Sequence, residues 1–366
     1  MNQSLTTDNS QPSSPQKKWL GMAVRYGLPV VLTVLLVVYM FKKVNFSEMW
    51  DLINHGVDYW WILLAMGISV FSHIFRAARW RLQLNALGIK PPFMALCCSI
   101  FGCYALNLVF PRLGEVWRCT YISSSQKASF TSVLGSMIGD RLADTLMVLL
   151  LLVLCLIVAA PALEAFLTRY PVGRDMVDLV SQWWFWVAII GGLLLCWGLL
   201  SVFRNNKIVV KLKEMALNMW EGFSVVARMK GRWQFLALTL CIWGCYYFQL
   251  YVAFYAFDFT RALCHGEGMA GGLTPCLVAF VLSSISMAIP SNGGLGPWNL
   301  AIMFGLAIYG VSDAQGTAFS MLQWSGQTVM LIILGIYTMV YISISGRKSN
   351  AVLAEETIKD AEKIEN

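Results

Sequence analysis

Charge is what this chain has least of. Asp, Glu, Lys and Arg make up 13% of its 366 residues, where a soluble domain averages about 25%, and 58% of the residues are hydrophobic. The longest polar stretch, about 204–232, is too short to be a soluble catalytic domain, which weighs against a self-contained synthase. No GxxxxGK[ST] loop is present, so direct use of ATP is not expected. No Ser-His-Asp or HExxH pattern occurs either. The three histidines, His55, His73 and His265, lack metal-ligand spacing, and no cofactor or metal is expected. A cleavable signal pattern is also missing: the first apolar run begins near Gly27 and no small-residue cleavage site follows it, so it reads as an anchor.

What the chain does have is long apolar runs. Segments 24–41, 59–77, 92–110, 131–160, 182–203, 233–257, 272–290, 298–311 and 316–345 are each dominated by apolar residues. Several approach or exceed the roughly 18 residues that mark a membrane span. The runs are continuous rather than alternating, which argues against a β-barrel. The fold class is therefore an all-α polytopic membrane protein. Most of the ten cysteines fall inside these runs (Cys97, Cys98, Cys103, Cys155, Cys196, Cys241 and Cys245) and read as small buried hydrophobes. Residues 1–16, polar and rich in Ser, Gln, Thr and Pro, read as a disordered tail. Residues 17–346 form the membrane domain and 347–366 a charged tail.

The net charge of +7 belongs to loops on one side and does not argue for nucleic acid. Lys17, Lys18 and Arg25 precede the first run; Arg76, Arg79, Arg81 and Lys90 follow the second; seven Lys and Arg residues lie in 204–232; Arg347 and Lys348 follow the last. These positions are expected on the cytoplasmic side of the cell inner membrane, with both termini there. The stretches 161–181 and 258–271 show no such excess and are expected outside. Parity then requires residues 92–130 to begin and end inside, and 272–312 to begin and end outside.

Each of those two stretches holds a proline-glycine break: Pro111-Arg112-Leu113-Gly114-Glu115, and Pro290-Ser291-Asn292-Gly293-Gly294-Leu295-Gly296-Pro297. Two hairpins of opposite orientation, re-entrant or paired short spans, would make an inverted repeat. Broken helices in corresponding halves are the best sequence pointer to a transport site. The bland alternative is a pair of ordinary surface loops. A helix starting after such a break offers free N–H groups to an anion, and Gly293, Gly294 and Gly296 would let backbone approach it. The breaks are expected to meet near the bilayer midplane.

Charges cluster around the first break. Arg112, Glu115 and Arg118 lie in it, and Asp140, Arg141 and Asp144 sit inside the next apolar run, with Asp140 and Asp144 sharing a face at i, i+4. Intramembrane charge is costly unless paired or hydrated. These residues are therefore candidates for a ligand site, for a structural ion-pair cluster such as Arg141 with Glu115, or for both. Arg76 and Arg79 read mainly as an anchor beside an interfacial Trp80, and at i, i+3 they could also face an anionic head group.

Four motifs occur in order: Arg76-x-x-Arg79-Trp80, Pro111-Arg112-x-Gly114-Glu115-x-x-Arg118, Asp140-Arg141-x-x-Asp144 and Pro290-x-x-Gly293-Gly294-Leu295-Gly296. Over roughly residues 20–345 the chain resembles the lysylphosphatidylglycerol synthase transmembrane family, also called the flippase-like domain family. That resemblance implies a lipid translocator, and by it lipid synthesis is not carried by this chain, which lacks the aminoacyl-transferase domain. Family members often carry Glu three residues after the last glycine of the fourth motif; here the residue is Asn299. The resulting site set is Arg76, Arg79, Arg112, Glu115, Arg118, Asp140, Arg141, Asp144, Asn292, Gly293, Gly294, Gly296 and Asn299. Arg112, Arg118 and Arg141 would bind phosphate, while Glu115, Asp140 and Asp144 would hold the arginines or bind a cationic group. The expected partner is a membrane lipid with an anionic or lipid-linked head group. A membrane enzyme using Asp140, Asp144 and Glu115, a small-solute transporter, and a partner subunit for a separate synthase or transferase are the alternatives. Self-association is open.

Overall fold

The computed structural model describes residues 51, 54, 56–160, 182–184, 187, 191, 229–266 and 271–365. The tail at 1–16, the run at 24–41, most of the run at 182–203 and the loops at 161–181 and 204–228 lie outside them. The described chain is helical: α1 Tyr59–Ala86, α2 Phe93–Val109, α3 Leu113–Ser125, α4 Phe130–Val158, α5 Arg232–Ala253, α6 Asp258–Cys264, α7 Thr274–Ser286, α8 Pro297–Ala307 and α9 Asp313–Glu365. Among these residues the sole β-type pairing is a bridge between Val57 and Phe257.

Local chemistry sets the ends. Asp58 caps α1, its Oδ1 accepting from the Trp60 N–H at 3.2 Å. Proline opens the first turn of both α7 and α8, where its missing N–H costs nothing. Helices α1, α4, α5 with its short 3-10 extension, and α9 as far as Ser345 are long and apolar enough to cross a membrane. The arms α2, α3, α7 and α8 have 17, 13, 13 and 11 residues. At about 1.5 Å per residue, each is shorter than the roughly 30 Å hydrocarbon core of a bilayer.

Three long helices form one block. α1 runs antiparallel to α5: the Asp58 N–H donates to the Ala256 carbonyl at one end, and Arg79 reaches Thr239 at the other. α1 also runs antiparallel to α4, from Trp80 against Ser136 to Arg76 against Asp144. Trp80, Leu84, Leu96, Ile100 and Ile122 fill the core between α1, α2 and α3. Phe254, Phe257, Leu306 and Phe319 fill a second core beside α5, α8 and α9. The far half of α4 is different, since Leu149, Leu150, Val153, Leu156 and Ile157 all face outward. Apolar outward faces of this kind suit a lipid surrounding. All nine cysteines among the described residues are free, and Cys97, Cys98, Cys103 and Cys155 are buried, as expected of small hydrophobes. Cys241 is exposed.

The remaining arms form two helical hairpins. In the first, α2 and α3 fold back so closely that a Cβ on Gly114 would stand 2.0 Å from the Cys103 carbonyl oxygen. In the second, a Cβ on Gly305 of α8 would stand 2.8 Å from the Ala279 Cα of α7. Both hairpins lie along α9 and approach from opposite ends. Gly316 of α9 abuts Met303 of α8, and Gly335 abuts Ala105 of α2. Further along, the Thr338 hydroxyl donates to the Cys98 carbonyl.

Candidate functional site

The two breaks meet tip to tip. The Arg112 guanidinium donates to the Ala288 carbonyl at 3.3 Å, and the Asn292 side-chain amide donates to the Val109 carbonyl at 3.4 Å. Each tip thus satisfies a carbonyl left over at the end of the other hairpin's first arm, where helix termini leave acceptors unfilled. The Trp324 indole N–H of α9 donates to the Gly293 carbonyl at 2.9 Å. The junction therefore lies between Trp324 and Gly335, beside the middle of the Asp313–Ser345 segment. Each break thus packs on the other.

Backbone geometry explains the breaks. Arg112 has φ 64°, a left-handed conformation that disfavours side chains by about 1–2 kcal/mol. In the second break Gly293, Gly294 and Gly296 have φ of 58°, 83° and 90°, so all three are required by conformation. Gly293 faces Leu108 of the opposing hairpin.

At each helix start beyond the breaks one N–H is taken up by a nearby asparagine. The Gly114 N–H donates to Asn107 Oδ1 at 2.9 Å, and the Gly296 N–H donates to Asn299 Oδ1 at 3.1 Å. Asn299 is buried at the third position of α8, where a side chain reaches back to the cap N–H. Glu at this position could make the same bond, so Asn keeps the cap without the charge. Asn107 and Asn299 thus each take up one of the N–H groups at these helix starts.

Behind the first tip lies a buried ionic cluster. Arg76 Nη1 is 2.7 Å from Asp144 Oδ2 and 3.1 Å from Asp140 Oδ2. Arg79 Nη2 is 2.8 Å from Asp144 Oδ1 and 2.6 Å from Asp140 Oδ1. The i, i+3 arginines of α1 and the i, i+4 aspartates of α4 thus form a ladder in which each carboxylate bridges both guanidinium groups. Tyr246 and Thr239 of α5 accept further hydrogen bonds from Arg76 and Arg79. The expectation of an interfacial anchor is corrected here. Arg76, Arg79 and Trp80 are 3%, 0% and 0% exposed, and the Trp80 indole donates to Ser136.

Hairpin arm α3 closes the cluster. Glu115 pairs with Arg141, as the ion-pair alternative expected. Arg118, 1% exposed, lies 4.7 Å over the Trp80 ring, with its Nη2 3.8 Å from Asp140 Oδ2. The structure thus brings Arg76, Arg79, Glu115, Arg118, Asp140, Arg141 and Asp144 together. Arg112, Asn292, Gly293, Gly294, Gly296 and Asn299 belong to the adjoining tips.

Several neighbours escaped sequence reasoning. Tyr246 and Thr239 lie some 160–170 positions from their arginines, and nothing local marks them. His73, 2% exposed, packs against Tyr104 with ring centroids 4.6 Å apart and the rings tilted by 44°, and neither of its ring nitrogens has a hydrogen-bond partner among the described residues. Polar residues within the later helices divide: Gln327 bridges to Ser69, while Ser283, Ser284 and Ser286 bond their own helix. No group of three potential metal ligands occurs among the described residues.

Comparison with curated proteins and with solved structures gave no match. Residues 27–335 match the family model described as the lysylphosphatidylglycerol synthase TM region. A match over most of the chain, on helices long and apolar enough to cross a bilayer, makes this a multi-pass membrane protein belonging to the lysylphosphatidylglycerol synthase transmembrane-region family.

Proposed function

We propose that the protein is a lipid translocase, moving a polar or anionic phospholipid or lipid-linked head group between the leaflets of the cytoplasmic membrane, with both termini on the cytoplasmic side. The observation that carries this reading is the tip-to-tip meeting of two opposed short hairpins beside the middle of a candidate span. That is the arrangement an inverted repeat would produce, with its junction at the bilayer midplane. Broken backbone at such depth is tolerated where it is buried in protein or lines a wet cavity. A head group could be passed from one hairpin to the other while its acyl chains stay in lipid.

The buried cluster supports the polar-cargo part of the reading. Asp140 and Asp144 are both engaged by arginines, as is Glu115. Carboxylates committed in this way suit a fixed electrostatic wall better than general acid-base chemistry, which needs a group free to exchange its proton.

The test is leaflet accessibility of labelled lipids in proteoliposomes, across anionic, zwitterionic and lipid-linked head groups. Faster equilibration than in empty vesicles for at least one class is expected. Rates equal to those of empty vesicles for every class overturn the proposal.

A further inference from the structure

We infer that a groove between α4, α5 and α7 holds one acyl chain of a resident membrane lipid, bound by its chain rather than its head group and seated apart from the hairpin tips; this goes beyond the transport reading and does not rest on it. The cavity measures about 390 Å³, within the roughly 300–1,000 Å³ of sites that enclose small molecules. Met147, Leu151, Leu154 and Val158, which share one face of α4, form one wall, and Gly244 of α5 and Leu277 of α7 belong to the others. None of the residues lining it is charged. Tyr247, one of the few polar ones, donates its hydroxyl to the Leu273 carbonyl at 2.8 Å, so its donor is already taken. Along α7 the groove covers residues 273–280, at the end of that arm away from the tip, which begins after Ser286.

An uncharged apolar groove selects against an ionic occupant, because an unpaired charge there loses its hydration without compensation. Length selects the occupant further. From Met147 to Val158 the α4 wall rises about 16 Å at 1.5 Å per residue, about half of the roughly 30 Å hydrocarbon core. An extended acyl chain of one leaflet runs that distance, whereas a transmembrane helix crosses both leaflets and would overrun the groove. Gly244 supplies an independent reason. It sits in the interior of α5, where glycine weakens a helix, and a Cβ built on it meets no atom within 4 Å. No contact within the described fold requires glycine there; a chain lying against the α5 backbone does. Gly114 and Gly305 differ, since their missing side chains admit neighbouring helices. Leu154 and Leu273 remain exposed, so the groove is open to the lipid that surrounds the outward face of α4.

The experiment is photo-crosslinking of the full chain in dioleoylphosphatidylcholine vesicles, doped with phosphatidylcholine or phosphatidylglycerol that carries a diazirine at mid-chain, with labelled residues mapped by peptide mass spectrometry. The reference is the outward face of α9 at Ile332, Ile333 and Ile336, which meets lipid only in passing. Labelling of the groove is expected to exceed that of the reference face by about ten-fold, equivalent to about 1.4 kcal/mol, and equally for both head groups. Gly244→Leu, which fills the cavity, is expected to bring groove labelling down to the level of the reference face and to leave that face unchanged. Gly67→Leu, on an exposed part of α1 with open space around it, is expected to change neither. Groove labelling no higher than the reference overturns the inference even if Gly244→Leu fails to fold, and it is the outcome if residues 182–203 of the chain itself fill the groove. Labelling that follows the head group overturns it as well, as does full groove labelling in Gly244→Leu. Lipid movement is read separately in the same vesicles: groove labelling without movement removes the translocase reading alone, and movement without groove labelling removes the groove alone.

Discussion

Neutralising Asp144 tests whether the ladder between α1 and α4 holds the block together. Asp144 accepts from Arg76 at 2.7 Å and from Arg79 at 2.8 Å, so Asp144→Asn leaves both guanidinium groups dependent on Asp140 alone. One buried negative charge is lost while both positive charges remain. Removing one partner of a buried ion pair costs about 3–5 kcal/mol, mostly through the charge left behind. An unfolding entropy of roughly 2.1 cal/mol/K per residue over this chain converts that to about 4–7 °C in Tm. The assay is tryptophan-fluorescence melting in detergent. The second arm is the double variant Arg79→Gln with Asp144→Asn, which removes one charge of each sign. It is expected to recover about 0.5–3 kcal/mol relative to the sum of the single changes. A shift below about 1 °C for Asp144→Asn, or strict additivity in the double variant, would refute the ladder as an energetic unit and point to a hydrated cluster.

Three further outcomes follow from the hairpins. Gly114→Ala drives a Cβ to 2.0 Å from the Cys103 carbonyl, a backbone contact that cannot yield without parting α2 and α3; loss of monodisperse protein on size-exclusion chromatography is expected, and normal yield and Tm would contradict the packing. Asn299→Ala removes the cap on the Gly296 N–H and is expected to cost about 1 kcal/mol, or about 1 °C by the same conversion, whereas Asn299→Gln should retain part of the bond; equal losses in both would show that the cap is not what stabilises α8. Val109→Cys with Asn292→Cys places thiols at the junction of the tips. Oxidation of that pair is expected to hold labelled-lipid movement in proteoliposomes at the empty-vesicle rate until reductant is added, and movement unaffected by a formed cross-link would mean the tips need not part.

The long helices were legible because hydrophobic periodicity and length are local. The expected runs 59–77, 131–160 and 233–257 fall within or closely follow α1, α4 and α5. The breaks were legible because Pro and Gly act on their own backbone. Arg76 and Arg79 were harder. A basic cluster near the end of an apolar run reads as an interfacial anchor, and their burial depends on Asp140 and Asp144, 61 to 68 positions away. Trp80 was misplaced for the same reason. The role of Asn299 was within reach, since a side chain at the third helical position bonding the cap N–H is a local rule. The glycines before it mask that role, because the same residues that permit positive φ also permit a close ligand approach.

The site is held by two kinds of contact of unequal strength, and that inequality decides what each perturbation should report. Within the block of α1, α4 and α5, every carboxylate oxygen of Asp140 and Asp144 lies within 3.1 Å of an arginine nitrogen, and both arginines are steadied by hydroxyls from α5. The hairpin arm α3 joins this block through a partly exposed pair, Glu115 with Arg141, and through Arg118, whose sole ion pair is long. Changes in the ladder therefore strike the fold and should be read first in melting temperature. At the seam a neutralised Arg118 leaves the ladder intact, so its loss should lower the melting temperature less than Asp144→Asn does. Should Arg118→Gln destabilise the protein as much as Asp144→Asn, the distinction between scaffold and seam fails.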